Sequence, residues 1–415
     1  MTDSAALEAA LKERFSGEAF ETDAAKYAVD GVAPKLVARP STQEEVAAVL
    51  ALANEHNAAV IPWGGGTQMG LGMPPARYDL ALDLQGLDRV IEYEPADLTV
   101  TVEAGIELDD LQHVLGEHGQ WLPLSAPRGP HVTIGGLLAT NLSGPERYRH
   151  GTARDLLIGI TFALPSGELV KSGGRVVKNV AGYDMGKLQI GALGTLGVIT
   201  QATFKVAPLP ARTEFCWVHA PLTALMSITS QVARSLLAVD ALGLTNNAEG
   251  ADWSLRVRFS GGSAAVERSL RDFAQYAPSS GRETSVSFDH PSGDHVPSLF
   301  GARVLARASV VPTTVASICQ AFDAEGAKVI AYPTAGIVYG AWEADGISAG
   351  VLRELRGRCL GSGLGALVLE RAPVEMKHEV GVWGEPREDF DLMRRLKAEL
   401  DPKGVLNPGR YLGGI

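Results

Sequence analysis

The residues with the clearest chemical potential lie in one glycine-rich stretch, VIPWGGGTQMGLG, at positions 60–72. The apolar pair Val60 and Ile61 predicts the end of a buried strand, and three consecutive glycines follow soon after it. Successive glycines can turn sharply and bring backbone N–H groups close to a ligand, an arrangement that suits a diphosphate. The stretch fits neither the P-loop pattern nor the G-x-G-x-x-G turn of dinucleotide-binding folds. Taken alone, it could equally be an ordinary glycine-rich turn.

Three further blocks share the glycine-rich character of the first. They are TIGGLLATNLSG (133–144) with His150-Gly151 after it, KNVAGYDMGKL (178–188) running into GTLGVIT (194–200), and LDPKGVLNPGR (400–410). Any one of these blocks is a weak indication of function. Four of them in one order form a far more specific pattern.

In these four blocks the chain resembles the FAD-binding oxidoreductases of the vanillyl-alcohol oxidase type, which carry a PCMH-type FAD-binding domain. The resemblance covers roughly residues 35–210 and then 400–410. The segment GGRVVKNVAGYDMGKL, in a chain this short, is most similar to the FAD-binding E subunits of bacterial glycolate oxidases. The resemblance implies an α+β fold, with two α/β lobes that bind FAD, an antiparallel cap sheet covered by helices, and a tail returning to the flavin domain.

The resemblance also assigns the contacts to FAD. Few cations accompany the first loop, so backbone N–H groups would hold the diphosphate. The second block would reach the diphosphate and the isoalloxazine, the GVI segment the adenosine side, and the tail the ring. The implied cofactor-binding residues are Pro62, Trp63, Gly64, Gly65, Gly66, Thr67, Gln68, Gly70, Thr133, Ile134, Gly135, Gly136, Ala139, Thr140, Asn141, Ser143, Gly144, Gly151, Gly197, Val198, Ile199 and Asn407. The alternative is that many of these glycines only permit tight packing.

We expect the FAD to be noncovalent. Some relatives attach it through a histidine in the first loop, and by position Gly66 stands there. No cysteine lies near the glycine blocks. His150 is expected to be a polar wall residue rather than a linkage.

The catalytic residues are not identified by the sequence. Relatives that oxidise 2-hydroxy acids carry a His-rich cap motif that holds a divalent metal, and the matching place here is YPTAGIVYG (332–340). Tyr332, Ile337 and Tyr339 stand where ligands would be, and such side chains cannot replace imidazole. We therefore expect no metal.

Other candidate groups are weaker. His290 and His295, with Asp294 between them, lie in a Pro/Gly/Ser-rich loop that predicts a solvated connection rather than a metal site. Arg303 or Arg307 could meet a substrate carboxylate, or either could be a solvated strand residue.

Composition narrows the class of protein. The chain has 415 residues, 46% hydrophobic, which suggests two or three domains with substantial cores. A net charge of −11 without a basic cluster argues against nucleic acid and anionic membrane as primary partners. The three cysteines are scattered, as expected for reduced buried thiols, and the N-terminus lacks the features of a signal peptide. We expect a cytoplasmic protein without a membrane span, with any membrane association arising through partners.

The elements that must position the blocks follow from periodicity. We predict an FAD-binding domain over 1–211, with lobes at about 35–105 and 106–211, a cap at 212–386 and a C-terminal segment at 387–415. Thr42 and Glu45 have capping-box spacing for a first helix. Residues 78–84 and 98–103 alternate as half-buried strands do. Beyond Pro208 the pattern changes to helices and strands without phosphate-type loops.

The leading hypothesis for function is an FAD-binding subunit of a glycolate oxidase-like complex. The resemblance implies oxidation of glycolate or a similar small 2-hydroxy acid, with hydride transfer to the flavin. It also implies a second flavin subunit and an iron–sulfur subunit. Three cysteines are too few for this chain to hold an iron–sulfur cluster by itself, so we expect a partner to supply it. The alternatives are a non-catalytic flavin-bearing scaffold, an electron relay, or a stand-alone FAD dehydrogenase for another alcohol.

Overall fold

The fold is taken from a computed structural model that describes most of the chain. The described residues are 4–15, 23–125, 130–174, 183–246, 253–276, 282–286, 299, 301–343, 346–361, 363 and 365–415. The candidates His290, Asp294 and His295 lie outside these ranges, as do residues 178–182 of the third glycine block.

Helices and strands alternate along the described chain. The helices are α1 Ser4–Arg14, α2 Gln43–Glu55, α3 Leu108–Gly116, α4 Ile134–Thr140, α5 Arg147–His150, α6 Ala153–Leu156, α7 Met185–Gln189, α8 Leu222–Ala233, α9 Ser263–Phe273, α10 Val315–Ala324, α11 Ala349–Leu360, α12 Val374–Val380 and α13 Phe390–Leu400. The strands are β1 Leu36–Ala38, β2 Val60–Trp63, β3 Leu80–Asp83, β4 Val90–Glu94, β5 Thr99–Glu103, β6 Gln120–Trp121, β7 Leu157–Ala163, β8 Leu169–Gly173, β9 Val198–Lys205, β10 Ala207–Pro208, β11 Arg212–Ala220, β12 Val239–Asn246, β13 Trp253–Gly261, β14 Arg282–Val286, β15 Val304–Ser309, β16 Lys328–Tyr332, β17 Ile337–Trp342 and β18 Ala366–Arg371.

The first lobe is a small parallel sheet in the order β1-β3-β2. Helix α2 covers it, and Thr42 caps that helix by accepting a hydrogen bond from the Glu45 amide at 3.1 Å. The predicted capping residue is therefore confirmed. Helix α1 adds Leu7 and Leu11 to the same core. Strand β2 leads directly into the glycine loop and so fixes where the loop starts.

The second lobe is a five-stranded antiparallel sheet in the order β4-β5-β9-β7-β8. Strands β4 and β5 belong to this sheet, although the sequence analysis assigned residues up to about 105 to the first lobe. The first sheet ends at Asp83, so the pairing places the division between the lobes before β4. The reason is that β5 pairs with β9, a partner about 100 residues away in sequence.

Both alternating stretches of the flavin domain are more buried than predicted. All residues of β3 and β5 are buried, so neither strand has a solvated face. Asp79 accepts hydrogen bonds from the Ala59 amide at 2.9 Å and from Lys35 at 2.7 Å. Asp83 accepts one from the Tyr27 hydroxyl at 2.8 Å. These carboxylates are tolerated inside because partners satisfy them.

The remaining sheet is an eight-stranded antiparallel cap in the order β14-β11-β13-β12-β16-β17-β15-β18. A large apolar core lies between one face of this sheet and helices α8 to α11, which confirms the expected α+β class and helix-covered cap. None of the helices in the described ranges combines the length and the hydropathy needed to cross a membrane.

Two features tie the cap and the tail to the flavin lobes. Arg258 of β13 is buried and bonds to Asp240 at 2.9 Å and to Glu146 at 3.0 Å. Glu146 also accepts a hydrogen bond from Ser125. The tail lies beside β2, because the Val60 amide donates to the carbonyl of Val405 at 2.8 Å.

Candidate functional site

A cleft opens where the flavin lobes and the tail meet. Most of its lining comes from the predicted glycine blocks. The predicted residues that line it are Pro62, Trp63, Gly64, Gly65, Gly66, Thr67, Gln68, Thr133, Gly135, Gly136, Ala139, Thr140, Gly197, Val198, Ile199 and Asn407. The further lining residues are Met69, Leu71, Leu84, Ala104, Leu193, Gly194 and Arg410. The fold thus brings segments far apart in sequence into one concave site.

Glycine is required in the first loop because the loop packs directly against the chain before α4. A Cβ atom on Gly64 would overlap the Thr133 hydroxyl, and one on Gly65 would overlap the carbonyl oxygen of His131. Gly66 has φ +73°, a conformation that glycine adopts without steric cost. The sequence analysis attributed these glycines to a close approach of phosphate. At Gly64 and Gly65, contact between two loops of the protein already demands glycine.

The second block forms the first turn of α4 at the wall of the cleft. Thr133 caps this helix by accepting a hydrogen bond from the Gly136 amide at 3.3 Å. The Gly135 amide donates to the carbonyl of Ala104 at 2.7 Å, just past the end of β5. A Cβ atom on Gly135 would come within 3.0 Å of Ala104. The helix start is therefore fixed against the second sheet.

Asn407 joins the tail to two walls of the cleft. Its backbone amide donates to the carbonyl of Val60 at 2.9 Å, and its side-chain Nδ2 donates to the carbonyl of Leu193 at 2.5 Å. Its Oδ1 is buried and has no hydrogen-bond partner within the described chain. Asn407 therefore presents an unused acceptor in a cleft that it also holds together.

Arg410 is a cleft residue that the sequence analysis missed. It is 4% exposed, and its Nη2 donates to the carbonyls of Met69 at 2.7 Å and Leu71 at 2.6 Å. Its Nε is buried without a partner among the described residues. Burial lowers the pKa of Arg410 to about 10. The available signal was a lone cation closing the NPGR block, three residues after Asn407.

Six predicted contact residues do not line the cleft. Ile134 belongs to the apolar core of the second lobe, and Asn141, with φ 52°, ends α4 in an exposed position. Ser143 is buried, and Gly144 packs on Ser125. The two others are Gly70, which lies against β18 of the cap, and Gly151, which packs on Asp155.

Beside the cleft lies the face of the cap sheet that the helices leave uncovered. Tyr332, Ile337 and Tyr339 are buried on this face, with the two tyrosine rings 6.2 Å apart. Arg307 is directly opposite Tyr339 across the strands and bonds to Glu370 at 2.6 Å. The positions that match the family's metal motif therefore form an aromatic and aliphatic wall next to an arginine.

A second cation approaches this wall from the flavin domain. Arg147 of α5 lies within electrostatic reach of Tyr339, Arg307 and Tyr332, and burial is the main cause of its lowered pKa. Burial likewise raises the pKa of Tyr411, while the charge of Arg307 lowers it. Arg303, by contrast, is exposed just before the start of β15. Of the two arginines considered from the sequence, Arg307 is the one that faces the flavin domain.

Other candidate groups lie elsewhere. Within the described residues, no group of three His, Cys, Asp or Glu side chains is arranged to hold a metal ion. His150 packs edge-on against Trp121 at 5.6 Å, and burial lowers its pKa. The cysteines are buried in the cap core, and burial raises the pKa of Cys359 to about 11. None of these groups lines the cleft.

Two segments of the chain match known protein families. Residues 34–173 match the family described as FAD binding domain, and residues 377–411 match the C-terminal domain of FAD linked oxidases. The first segment contains the glycine loop and α4, and the second contains Asn407 and Arg410. These matches confirm the resemblance inferred from the glycine blocks and identify FAD as the cofactor.

Curated relatives match mainly over the flavin domain. D-lactate dehydrogenase [cytochrome] 1, mitochondrial, of Saccharomyces cerevisiae is 37% identical over 175 residues, or 41% of this chain and 30% of that protein. Glycolate oxidase subunit GlcD of Bacillus subtilis is 32% identical over 43% of this chain and 38% of that protein. A D-lactate dehydrogenase of Archaeoglobus fulgidus is 27% identical over 91% of both chains. The chain thus spans only about a third of the yeast and Bacillus relatives, but nearly all of the archaeal one.

A solved structure shares the fold over almost the whole chain. Alkyldihydroxyacetonephosphate synthase superposes with a TM-score of 0.72 at 18% identity, covering 97% of this chain and 84% of that one. At this identity the likeness concerns the fold alone.

Proposed function

We propose that this chain, which carries the FAD-binding domain and the C-terminal domain of FAD-linked oxidases, takes part in the oxidation of a small 2-hydroxy acid. The observation that carries the proposal is Arg307, held by Glu370 on the cap face that meets the glycine loop. Relatives bear the names D-lactate dehydrogenase, glycolate oxidase subunit and D-2-hydroxyglutarate dehydrogenase. Each name denotes a substrate with a carboxylate beside a hydroxyl.

The cleft fits FAD by the polar groups that it leaves unused. Arg410 Nε and Asn407 Oδ1 are a buried donor and a buried acceptor without partners within the described chain, and buried polar groups are ordinarily satisfied. Backbone amides of the glycine loop and of the start of α4 would hold the diphosphate, and the two tail residues would hold other polar atoms of the cofactor. When bound, FAD accepts a hydride from the substrate carbon.

The cap face supplies the features needed to bind a carboxylate. Arg307 and Arg147 bring two positive charges, against the single carboxylate of Glu370 that bonds to Arg307. A guanidinium pairs well with a carboxylate because its donors form a planar fork. Tyr332 and Tyr339 are buried beside them and exclude water from this side. The arrangement orients a small hydroxy acid by its carboxylate end.

We propose that catalysis takes place within a complex. A second flavin subunit with the His-rich motif would supply the metal, and an iron–sulfur subunit would accept the electrons. The three cysteines of this chain are fewer than the four thiolates that a cluster ordinarily requires. We further propose that the complex is cytoplasmic, with any membrane association arising through its partners.

A second function, flavin-bearing scaffold or electron relay, is favoured by the wall that replaces the metal motif. Tyr332, Ile337 and Tyr339 offer no ligand for a divalent ion where the 2-hydroxy acid oxidases carry one. In this role the chain would hold FAD and pass electrons without binding the acid. The third reading is a stand-alone FAD dehydrogenase for another alcohol, and Arg307 disfavours it for an alcohol without a carboxylate.

The deciding experiment is anaerobic reduction of the flavin by a panel of substrates. The FAD-loaded chain would be assayed alone and together with its His-rich partner, using glycolate, D-lactate and alcohols that lack a carboxylate. We expect the reconstituted complex to bleach only with the hydroxy acids. Equal bleaching with simple alcohols would favour the third reading. Bleaching that persists after substitutions in the glycine loop have abolished FAD binding by this chain would favour the scaffold.

A further inference from the structure

Two buried cations hold three consecutive carbonyl groups at the end of the glycine loop. Arg410 Nη2 donates to the carbonyls of Met69 and Leu71 at 2.7 Å and 2.6 Å. Lys377 Nζ donates to the carbonyl between them, that of Gly70, at 2.7 Å. Both cations come from the last part of the chain, more than 300 residues after the loop. The loop exit is therefore gripped by α12 and the tail.

The grip is strongly electrostatic. Lys377 is completely buried, and its Nζ reaches both oxygens of Asp30 at 2.8 Å and 2.7 Å. Within the described chain, no carboxylate lies within ion-pair distance of Arg410. Burial lowers the pKa of Lys377, and its hydrogen bond to Asp30 raises it. Two cations and one carboxylate leave a net positive charge beside the cleft, and this charge would attract the negatively charged diphosphate of FAD.

Fixing these carbonyls also fixes the amides of the same peptide units. In a trans peptide the C=O and N–H bonds point in opposite directions. Bonds to the carbonyls of Met69 and Leu71 therefore orient the amides of Gly70 and Gly72 away from the cations. The amide of Leu71 closes a turn by donating to the carbonyl of Gln68 at 2.9 Å. Lys377 and Arg410 thus fix the orientation of the peptide planes where the loop leaves the cleft.

We propose that Lys377 is a positioning residue for FAD and that, together with the bonds from Arg410 Nη2 to the loop carbonyls, it makes flavin affinity depend on the docking of α12 and the tail against the glycine loop. The coupling is reciprocal: if docking tightens FAD, then FAD tightens docking by the same factor. The proposal concerns cofactor binding and holds whichever substrate the protein oxidises.

The docking also has an apolar part that does not involve Lys377. Leu71 packs with Val368 and Val382 of the cap in one buried cluster. Trp383 Nε1 donates to the carbonyl of Arg410 at 3.0 Å. Removing the lysine amine leaves these contacts in place. A variant at 377 can therefore remain folded while the loop loses a brace.

The test separates positioning from a purely structural role. Lys377→Met keeps the length of the side chain and removes its amine, and Asp30→Asn/Lys377→Met removes the facing charge as well. Asn suits position 30 because Asp30 has φ 50°, a region that Asn tolerates. His378→Ala, an exposed change on the same helix, is the matched control.

Two quantities are measured for each variant: the Kd of FAD and the melting temperature of the apoprotein. We expect Lys377→Met to raise the Kd by about tenfold or more, a loss in the range of one charge-assisted hydrogen bond. The double variant should recover apoprotein stability, since no unpaired buried charge remains, but not FAD affinity, since Gly70 still lacks its donor. His378→Ala should leave both unchanged.

Protease protection of the cap provides a third readout. FAD should slow cleavage after α11 in the wild type and less so in the double variant. An unchanged Kd in Lys377→Met, or full recovery of affinity in the double variant, would overturn the proposal. Equal protection in all proteins would overturn the coupling.

Discussion

The carbonyl oxygen of His131 occupies the position that a Cβ atom on Gly65 would need. Gly65 lies in the first glycine block and His131 lies two residues before the second, so their contact sets the spacing between the first loop and α4. Any side chain at 65 must push the loops apart, at a cost of about 1–3 kcal/mol or more. The cleft would then change shape at the wall that the first loop forms.

We therefore expect Gly65→Val to lose FAD while the cap remains folded. The measurement is FAD content after desalting, together with circular dichroism and thermal unfolding. Gly116→Ala is the matched control, because a Cβ atom there meets nothing within 4 Å. Full FAD occupancy in a soluble Gly65→Val protein would remove the loop from the cofactor site.

The FAD should be released when the protein is denatured. The resemblance places Gly66 where covalent relatives attach the flavin, and the buried cysteines of the cap core do not line the cleft. Acid or heat treatment followed by filtration should put the yellow colour in the filtrate. Colour that stays with the polypeptide would show a covalent bond.

The isolated chain should oxidise glycolate poorly or not at all. A divalent metal contributes several kcal/mol by holding the carboxylate and hydroxyl together, and losing about 4 kcal/mol slows a step roughly a thousandfold. The FAD-loaded chain would be mixed anaerobically with excess glycolate or D-lactate while the flavin band is followed. Loss of the flavin band within seconds, undiminished by a chelator, would contradict the prediction that a partner is required.

Arg307 should control the affinity for the acid rather than for FAD. In the reconstituted complex, Arg307→Gln/Glu370→Gln, which removes the pair together, should raise the KM for the hydroxy acid by about 30- to 100-fold. FAD content should stay the same. Arg303→Gln, a change at an exposed arginine of the same segment, is the control and should leave KM unchanged. A KM unaffected by the pair would place the carboxylate elsewhere.

His150 should make the protein less stable in acid. Because burial lowers its pKa in the folded state, the unfolded chain binds more protons between that value and the ordinary value of 6.5. Stability is therefore full above about pH 6.5 and falls as the pH drops through this window. Urea unfolding of wild type and His150→Gln at several pH values should show a smaller acid loss in the variant. Parallel curves would contradict the assignment.

Periodicity and glycine spacing predicted much of this molecule. Thr42 was expected to cap the first helix and does so, because a helix cap depends on residues only three positions apart. The glycine blocks indicated the cleft because a tight turn requires glycine at the turn itself, where it can be seen in the sequence. Residues 78–84 were expected to form a half-buried strand, because the partners that allow Asp79 and Asp83 to be buried, Lys35 and Tyr27, are more than 40 residues away.

The same limit explains which site residues were missed. Arg410 and Lys377 act on carbonyl groups, and any residue type offers a carbonyl, so no sequence pattern marks the partner. Arg147 acquires its position only when α5 meets the cap sheet. What a single sequence lacks is therefore the long-range contact, even where both contacting residues are conspicuous.

The position of the tail in the cleft has a consequence for folding during translation. Asn407 bonds to β2, and Arg410 bonds to the loop after it. The cleft therefore has no complete wall until these two residues, about 340 positions later in the chain, have left the ribosome. The flavin lobes can begin to fold much earlier, since domains form as the chain emerges. If the tail positions FAD as proposed, tight cofactor loading waits until Arg410 has left the ribosome. The cap is by then already outside the ribosome, and truncated products would stay colourless.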